Sequence, residues 1–137
     1  MMTNRELVSE FEQGRVAGDF RHADHVRVAY AYVAELPLLD AVAKFSAALR
    51  RFASARGKPN LYHETITWAY LFLIAERMAR AERQESWEEF AARNADLLLW
   101  KDGVLDRYYA DATLESDLAR RQFIMPEAGL AHRNTAH

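Results

Sequence analysis

The chain has 137 residues, of which 50% are hydrophobic and 28% charged, a composition typical of one folded domain with a single core. Its 18 Lys and Arg side chains nearly balance 20 Asp and Glu side chains, so no large net charge draws it to nucleic acid or to an anionic membrane. The absence of cysteine excludes disulfides, thiolate nucleophiles and thiolate metal sites.

The N-terminal part of the chain predicts two helices. Thr3 and Glu6 fit a capping box, in which each residue satisfies a backbone N–H group of the other, and this box opens a short amphipathic helix. A second helix is predicted over 21–35. It ends there because the residue before Pro37 avoids the helical conformation.

The middle of the chain predicts the longest helices. A third helix is predicted over 39–56, with apolar residues at helical spacing and Gly57 as its end signal. After a short turn, the stretch 62–80 is apolar nearly all round, which is typical of a helix that neighbours bury on several sides. We therefore predict that 62–80 is the central helix of a bundle.

Shorter helices are predicted in the remainder of the chain. Ser86 and Glu89 fit a second capping box, and the helix that they open is predicted to run toward Trp100. Two further short helices are predicted over 104–109 and 113–122. The tail, residues 127–137, has no periodicity and is predicted to be mobile or coil.

These elements predict the fold class. No stretch alternates as a strand does, so the chain over 1–137 is predicted to be a single-domain, all-α bundle of five to seven helices. The N-terminus lacks the apolar segment of a signal peptide, and the longest apolar run, 68–75, is too short to span a bilayer. We expect a cytoplasmic protein whose partner is a small-molecule ligand or a second copy in a homodimer, with no nucleic-acid and no membrane binding.

The directions of the helices predict where polar side chains meet. If the second, third and central helices alternate in direction, the starts of the second and central helices lie at one end of the bundle. His22, His25 and His63 then lie at that end. The third helix ends there too, with Arg51 and Arg56. This end of the bundle is the predicted site.

One interpretation of the site is a divalent metal centre. His22 and His25 are three residues apart on one helical face, so they can ligate one ion together, with His63 or Glu64 as a third ligand. Three ligands from rigid helices and an open position for water suit a catalytic Zn²⁺ or Fe²⁺. Glu64 is then available as a general acid or base, which predicts a metal-dependent enzyme.

Two alternatives need no metal. In the first, the imidazoles, two helix N-termini and Arg51 or Arg56 attract a small carboxylate or phosphate. The other predicted ligand-binding residues of that pocket are Tyr30, Tyr62, Thr67 and Trp68. In the second alternative, the histidines are structural residues of a non-catalytic interaction protein. Histidine pairs at this spacing also occur by chance, so all three interpretations remain open.

Two short motifs carry a resemblance. Residues 20–25 (Phe-Arg-His-Ala-Asp-His), followed by residues 62–65 (Tyr-His-Glu-Thr), resemble the paired signature of an uncharacterised group of small helical bacterial proteins, and this implies no reaction. In general plan the chain is also similar to DinB-like helical bundles, in which three histidines from different helices hold a metal. That family's histidine spacing is four residues in one late helix, whereas His22 and His25 are three apart in an early helix. The second likeness is therefore an analogy of plan.

Overall fold

The computed structural model describes residues 2–16 and 18–127 of the chain. Within these ranges it forms seven α-helices, three short 3₁₀ helices and no strand, which confirms the predicted all-α bundle. The α-helices are α1 Asn4–Glu12, α2 His22–Glu35, α3 Leu38–Ala55, α4 Glu64–Arg80, α5 Trp87–Arg93, α6 Asp111–Glu115 and α7 Asp117–Arg121. The 3₁₀ helices are Pro59–Leu61, Ala95–Leu98 and Val104–Arg107.

Helix α4 is the centre of the bundle, as its apolar sequence predicts. It packs against α2, α3 and α7, so its buried surface faces several neighbours. Leu71 and Ile74 in its middle are both 0% exposed, and burying an aliphatic side chain of this size contributes roughly 1.5–3 kcal/mol. None of the helices in the described ranges has the length and apolar character that crossing a membrane requires.

Several helix ends follow their sequence signals. Both capping boxes form, at Thr3 with Glu6 and at Ser86 with Glu89. Helix α2 ends shortly before the proline that was predicted to stop it, and α3 is followed by Gly57 at φ +72°. Glycine adopts this left-handed conformation without the steric cost that other residues meet.

The predicted extent of the helix after Ser86 is wrong. Helix α5 ends at Arg93 instead of near Trp100, because the chain leaves the helical conformation at Asn94, where φ is −128°. The Asn94 side chain is buried, donates to the Phe90 carbonyl at 2.9 Å and accepts from Arg77 at 3.2 Å. These tertiary contacts stabilise the break.

The C-terminal part of the chain also differs from the prediction. The helix predicted over 113–122 is two helices, α6 and α7, because Ser116 adopts an extended conformation and its hydroxyl caps α7 by accepting from the Ala119 N–H at 3.1 Å. The predicted tail lies outside the described residues except for Glu127. Its carboxylate accepts from the Ala110 N–H at 3.1 Å.

Candidate ligand-binding site

A cavity of about 800 Å³ lies at one end of the bundle. The start of α2, the end of α3 and the segment leading into α4 line it, as alternating helix directions predict. Its volume lies in the range of small-molecule sites, about 300–1,000 Å³. It brings together six of the residues predicted for a site, which are His22, His25, Arg56, Tyr62, His63 and Thr67.

The other four predicted site residues do not line this cavity. Tyr30 is buried against α5. Arg51 is exposed on α3. Trp68 stacks on Phe123, with 5.6 Å between the ring centroids. The fourth, Glu64, is buried beside the cavity wall and is bound by other side chains.

Glu64 is held by two partners that share one of its oxygens. Its Oε1 accepts from the Tyr62 hydroxyl at 2.5 Å and from the Arg50 guanidinium at 2.8 Å. Arg50 also lies 4.7 Å from the centroid of the Tyr62 ring. Burial, followed by the hydrogen bond to Glu64, raises the pKa of Tyr62 to about 12. Because Tyr62 lines the cavity, Glu64 contributes to the wall by fixing this ring, and its acid–base role stays a prediction.

His63 has hydrogen bonds at both ring nitrogens. Nδ1 accepts from the Ile66 N–H at 3.1 Å, which caps the start of α4, and Nε2 donates to the Leu114 carbonyl at 2.7 Å. This pattern fixes a neutral ring with its proton on Nε2. Burial lowers the pKa of His63, in keeping with this neutral form. Metal ligation by His63 requires the loss of one of these two bonds.

The two histidines of α2 are also neutral at physiological pH. His22 Nε2 donates to the Leu97 carbonyl at 2.9 Å. Burial lowers the pKa of His22, and it lowers the pKa of His25 to about 4, with the nearby His22 as the next cause. The interior of the cavity therefore offers polar but uncharged groups.

The geometry gives no support to a metal centre in the described part of the chain. No three His, Asp or Glu side chains in residues 2–16 and 18–127 are grouped so that they could hold an ion. The predicted set of His22, His25 and His63 faces one cavity without forming such a group. Ligation of Zn²⁺ or Fe²⁺ by these residues stays a prediction.

Five charged residues line the cavity, Asp19, Arg21, Arg56, Lys58 and Arg120, and we call this group its mouth because four of them are exposed and Arg120 is partly exposed. Four of these side chains are cationic and one is a carboxylate, so the mouth has a formal charge of +3, although the whole chain has −2. The wall behind the mouth is mainly apolar and includes Phe20, Val26, Phe45, Leu49, Phe52 and Ile66. Charge and apolar surface are therefore separated.

Two of the cations at the mouth are fixed by the backbone. Arg56 donates to the Gly18 carbonyl at 3.0 Å, and Arg120 donates to the Asn60 carbonyl at 2.7 Å. The Lys58 side chain has no hydrogen-bond or ion-pair partner within the described ranges, so its charge is available to a ligand, while its backbone N–H donates to the Ala53 carbonyl at 2.9 Å.

Sequence reasoning missed five aromatic residues of the cavity, Phe20, Phe45, Phe52, Tyr70 and Trp100. Tyr70 follows His63 by seven residues, and this spacing could have placed both on one face of the central helix. Trp100 lies on an irregular loop, is 61% exposed and packs 5.3 Å from the His22 ring between centroids. No periodic pattern marks its position.

The loop that carries Trp100 folds back on itself at Gly103. A Cβ atom at this position would lie 2.6 Å from the Leu99 carbonyl oxygen, 3.1 Å from the Trp100 carbonyl oxygen and 3.4 Å from the Tyr70 hydroxyl. Real Cβ atoms do not approach a backbone oxygen to 2.6 Å, so only glycine fits this turn.

No protein-family model, curated protein or solved structure matches the chain. The resemblances carried by residues 20–25 and 62–65 therefore stay predictions, and the site is interpreted from its own geometry.

Proposed function

We propose that the protein binds a small amphipathic ligand in this cavity, with the apolar part of the ligand inside and an anionic group, a carboxylate or a phosphate, at the mouth. The observation that carries the proposal is the separation described above, with four cations and one carboxylate in front of an apolar wall. An apolar ligand body gains roughly 25 cal/mol for each Å² that it removes from water. The cations at the mouth then favour ligands with a negative charge.

The interior supports this orientation. His22, His25 and His63 are neutral because burial lowers their pKa values, so no full positive charge stands inside to attract the anion. Arginine, by contrast, presents a planar set of N–H donors that matches carboxylate and phosphate oxygens. Arg56 and Arg120, held by backbone carbonyls, are placed for this role at the mouth.

A second recess in the bundle lacks this combination. It has a volume of about 310 Å³ and an apolar lining that includes Phe72, Leu105 and Phe123. Among the described residues that line it, Glu76 alone is charged, and a carboxylate repels an anionic ligand. The larger cavity is therefore the favoured site.

Binding, and not catalysis, is the function that we propose. Glu64 does not line the cavity, and its oxygen is occupied by Arg50 and Tyr62. His63 has both ring nitrogens in hydrogen bonds. A general base needs an oxygen or nitrogen that can reach the ligand, but Glu64 lies outside the cavity lining and both ring nitrogens of His63 are engaged in the fold.

The test measures the affinity of named anions by calorimetric titration, with thermal unfolding as a second readout. The probes are naphthoate, decanoate, naphthyl phosphate and decyl phosphate, with uncharged naphthalenemethanol for comparison. We expect at least one anion to bind, to raise the unfolding temperature as binding to the native state requires, and to bind more tightly than the alcohol.

A matched pair of variants locates the site. Lys58→Glu reverses a charge at the mouth and is expected to weaken binding about fivefold or more, since opposite unit charges near a surface interact by about 1 kcal/mol or more. Lys44→Glu makes the same change at an exposed lysine that does not line the cavity, and should alter the affinity by less than about twofold. Binding of none of the anions, or equal losses in the two variants, contradicts the proposal.

A further inference from the structure

Aromatic rings line the inner face of α2 in two groups. In the first group, His22 lies 4.9 Å from Tyr70 and 5.3 Å from Trp100 between ring centroids. In the second group, His25 lies 4.2 Å from Phe20. All five residues line the cavity.

The two groups form one continuous surface. His22 and His25 are three residues apart on α2, and side chains at this spacing are neighbours on a helix, with Cβ atoms about 5–6 Å apart. The second group continues toward the mouth, because Phe20 lies 4.8 Å from the Phe52 ring and the Arg56 guanidinium lies 4.3 Å from the centroid of that ring. An aromatic surface therefore leads from the interior to a cation.

Four of these rings keep surface that a ligand can cover, whereas Tyr70 is 7% exposed. Trp100 is 61% exposed, and Phe20 is partly exposed. By contrast, aromatic rings in the hydrophobic core are inaccessible to a ligand, since Phe11 is 2% exposed and Tyr32 is 0% exposed. The accessible part of the aromatic surface belongs to the cavity.

We propose that the ligand is an aromatic acid, whose planar ring system packs on the surface formed by Phe20, His22, His25, Tyr70 and Trp100 while its anionic group lies near Arg56. This inference rests on the proposed function and narrows its ligand class. Stacked and edge-to-face ring pairs attract one another beyond the effect of buried area, and each contact adds about two- to tenfold in affinity. A saturated ring system with the same carbon connectivity is puckered and has no aromatic face, so it gains the area effect alone.

The experiment compares naphthoate with decahydronaphthoate, which has the same carbon skeleton and the same carboxylate but no aromatic ring. The saturated acid is the more hydrophobic of the two, so burial of area alone predicts that it binds at least as tightly. Ring packing predicts the reverse. We expect naphthoate to bind at least about fivefold more tightly than decahydronaphthoate in calorimetric titrations.

Two variants of one residue identify the surface. Trp100→Leu is expected to lower the affinity for naphthoate about threefold or more, and to change the affinity for decahydronaphthoate by less than about twofold. Trp100→Phe retains a ring and should restore most of the naphthoate affinity. Because Trp100 is largely exposed, both variants are expected to fold, which circular dichroism checks.

The outcomes separate this inference from the proposed function. If the two acids bind within about twofold of each other, or the saturated acid binds more tightly, the aromatic inference is overturned and the proposed binding function stands. If Trp100→Leu weakens both acids equally, the assigned surface is overturned. If neither acid nor any other anion of the panel binds the folded protein, the proposed function is overturned as well.

Discussion

At the scale of single residues, the buried Glu64 carboxylate binds Arg50 and Tyr62 through the same oxygen, and so connects α3 with the segment before α4. The Glu64 side chain is 12% exposed and that of Arg50 is 52% exposed, so the arginine can regain water if the pair is broken but the carboxylate site cannot. Loss of the pair therefore destabilises the fold mainly through the buried Glu64 carboxylate.

Glu64→Gln tests this arrangement. The amide oxygen can still accept from both partners, but it carries no negative charge for the Arg50 guanidinium, so we expect the free energy of unfolding to fall by about 1–3 kcal/mol in urea titrations. The control is Glu76→Gln, since the Glu76 carboxylate pairs with Arg80 at an exposed position of the same helix. Glu76→Gln should lower the free energy of unfolding by less than about 0.5 kcal/mol. Equal costs in the two variants contradict this account of Glu64.

His25 makes stability depend on pH. Burial, followed by the nearby His22, lowers the pKa of His25 to about 4, while the charge of Asp24 opposes the shift. The unfolded chain then binds more protons than the native state, so stability that is present above about pH 6.5 is lost as the pH falls toward 4. Burial also lowers the pKa values of His22 and His63, which adds to the loss in the same direction.

The contribution of His25 is measured with His25→Gln. Between about pH 7 and about pH 5 we expect this variant to lose about 1–2 kcal/mol less unfolding free energy than the unchanged protein. Urea unfolding at both pH values gives the comparison. Parallel losses in the two proteins show that His25 does not carry this part of the pH dependence.

Residue spacing explains part of what the sequence could predict about the site. His22 and His25 reach the cavity together because they lie on one helical face. Tyr30 follows His25 by five residues, which at about 100° per residue turns it about 140° away, so its absence from the cavity could have been derived. The position of Trp100 at the cavity could not have been derived from the sequence, because its loop is placed by contacts with other parts of the chain.

At the scale of elements, Thr65 connects the central helix with α7. This residue is 0% exposed, and its hydroxyl lies 2.7 Å from the Ala119 carbonyl oxygen and 2.8 Å from that of Gln122. It also accepts from the Ile124 N–H at 3.1 Å. One buried hydroxyl thus satisfies backbone groups at the end of α7 and beyond it, which positions Arg120 at the cavity mouth.

Thr65→Val measures how much this connection contributes to the free energy of unfolding. The methyl group fills the space of the hydroxyl but leaves the Ile124 N–H and one of the two carbonyl oxygens without their partner, and we expect a loss of about 1–3 kcal/mol in unfolding free energy. Thr113→Val in α6 is the control, because Thr113 is partly exposed, and its effect should stay within about 0.5 kcal/mol. A loss in both variants of the same size contradicts the assignment to Thr65.

Helices were predictable where a long periodic pattern decided them. The patterns behind α2, α3 and α4 extend over several turns, and the observed bounds lie within two residues of the predicted ones. Helices α5, α6 and α7 are short, and their ends depend on local caps and on tertiary partners such as the contact of Asn94 with Arg77. The identity of such a partner is not encoded in the spacing of apolar residues.

At the scale of the whole molecule, charge is distributed unevenly. The chain has a formal charge of −2, yet the mouth of the cavity has +3, so a negative ligand is attracted at one end of a protein that is otherwise weakly acidic. The sequence predicted Arg56 at this end of the bundle but not Arg21 and Arg120, because these two cations come from the residue before α2 and from α7, and only the fold brings them together.

Salt should weaken the binding of an anionic ligand. Screening shortens the reach of exposed charges from about 10 Å at 0.1 M salt to about 3 Å at 1 M. We therefore expect the affinity for naphthoate to fall about threefold or more over this range, and the affinity for uncharged naphthalenemethanol not to fall. Calorimetric titration at both salt concentrations measures this. If salt reduces both affinities equally, the charge at the mouth does not guide binding.

The closed turn at Gly103 gives one position outside the cavity control over the place of Trp100 in the cavity wall. A methyl group at residue 103 would clash with the carbonyl oxygens of Leu99 and Trp100. Backbone oxygens cannot rotate aside as a flexible side chain does. An alanine there would have to push the loop open and carry the indole with it. The shape of the cavity can thus change without the replacement of any residue that lines it.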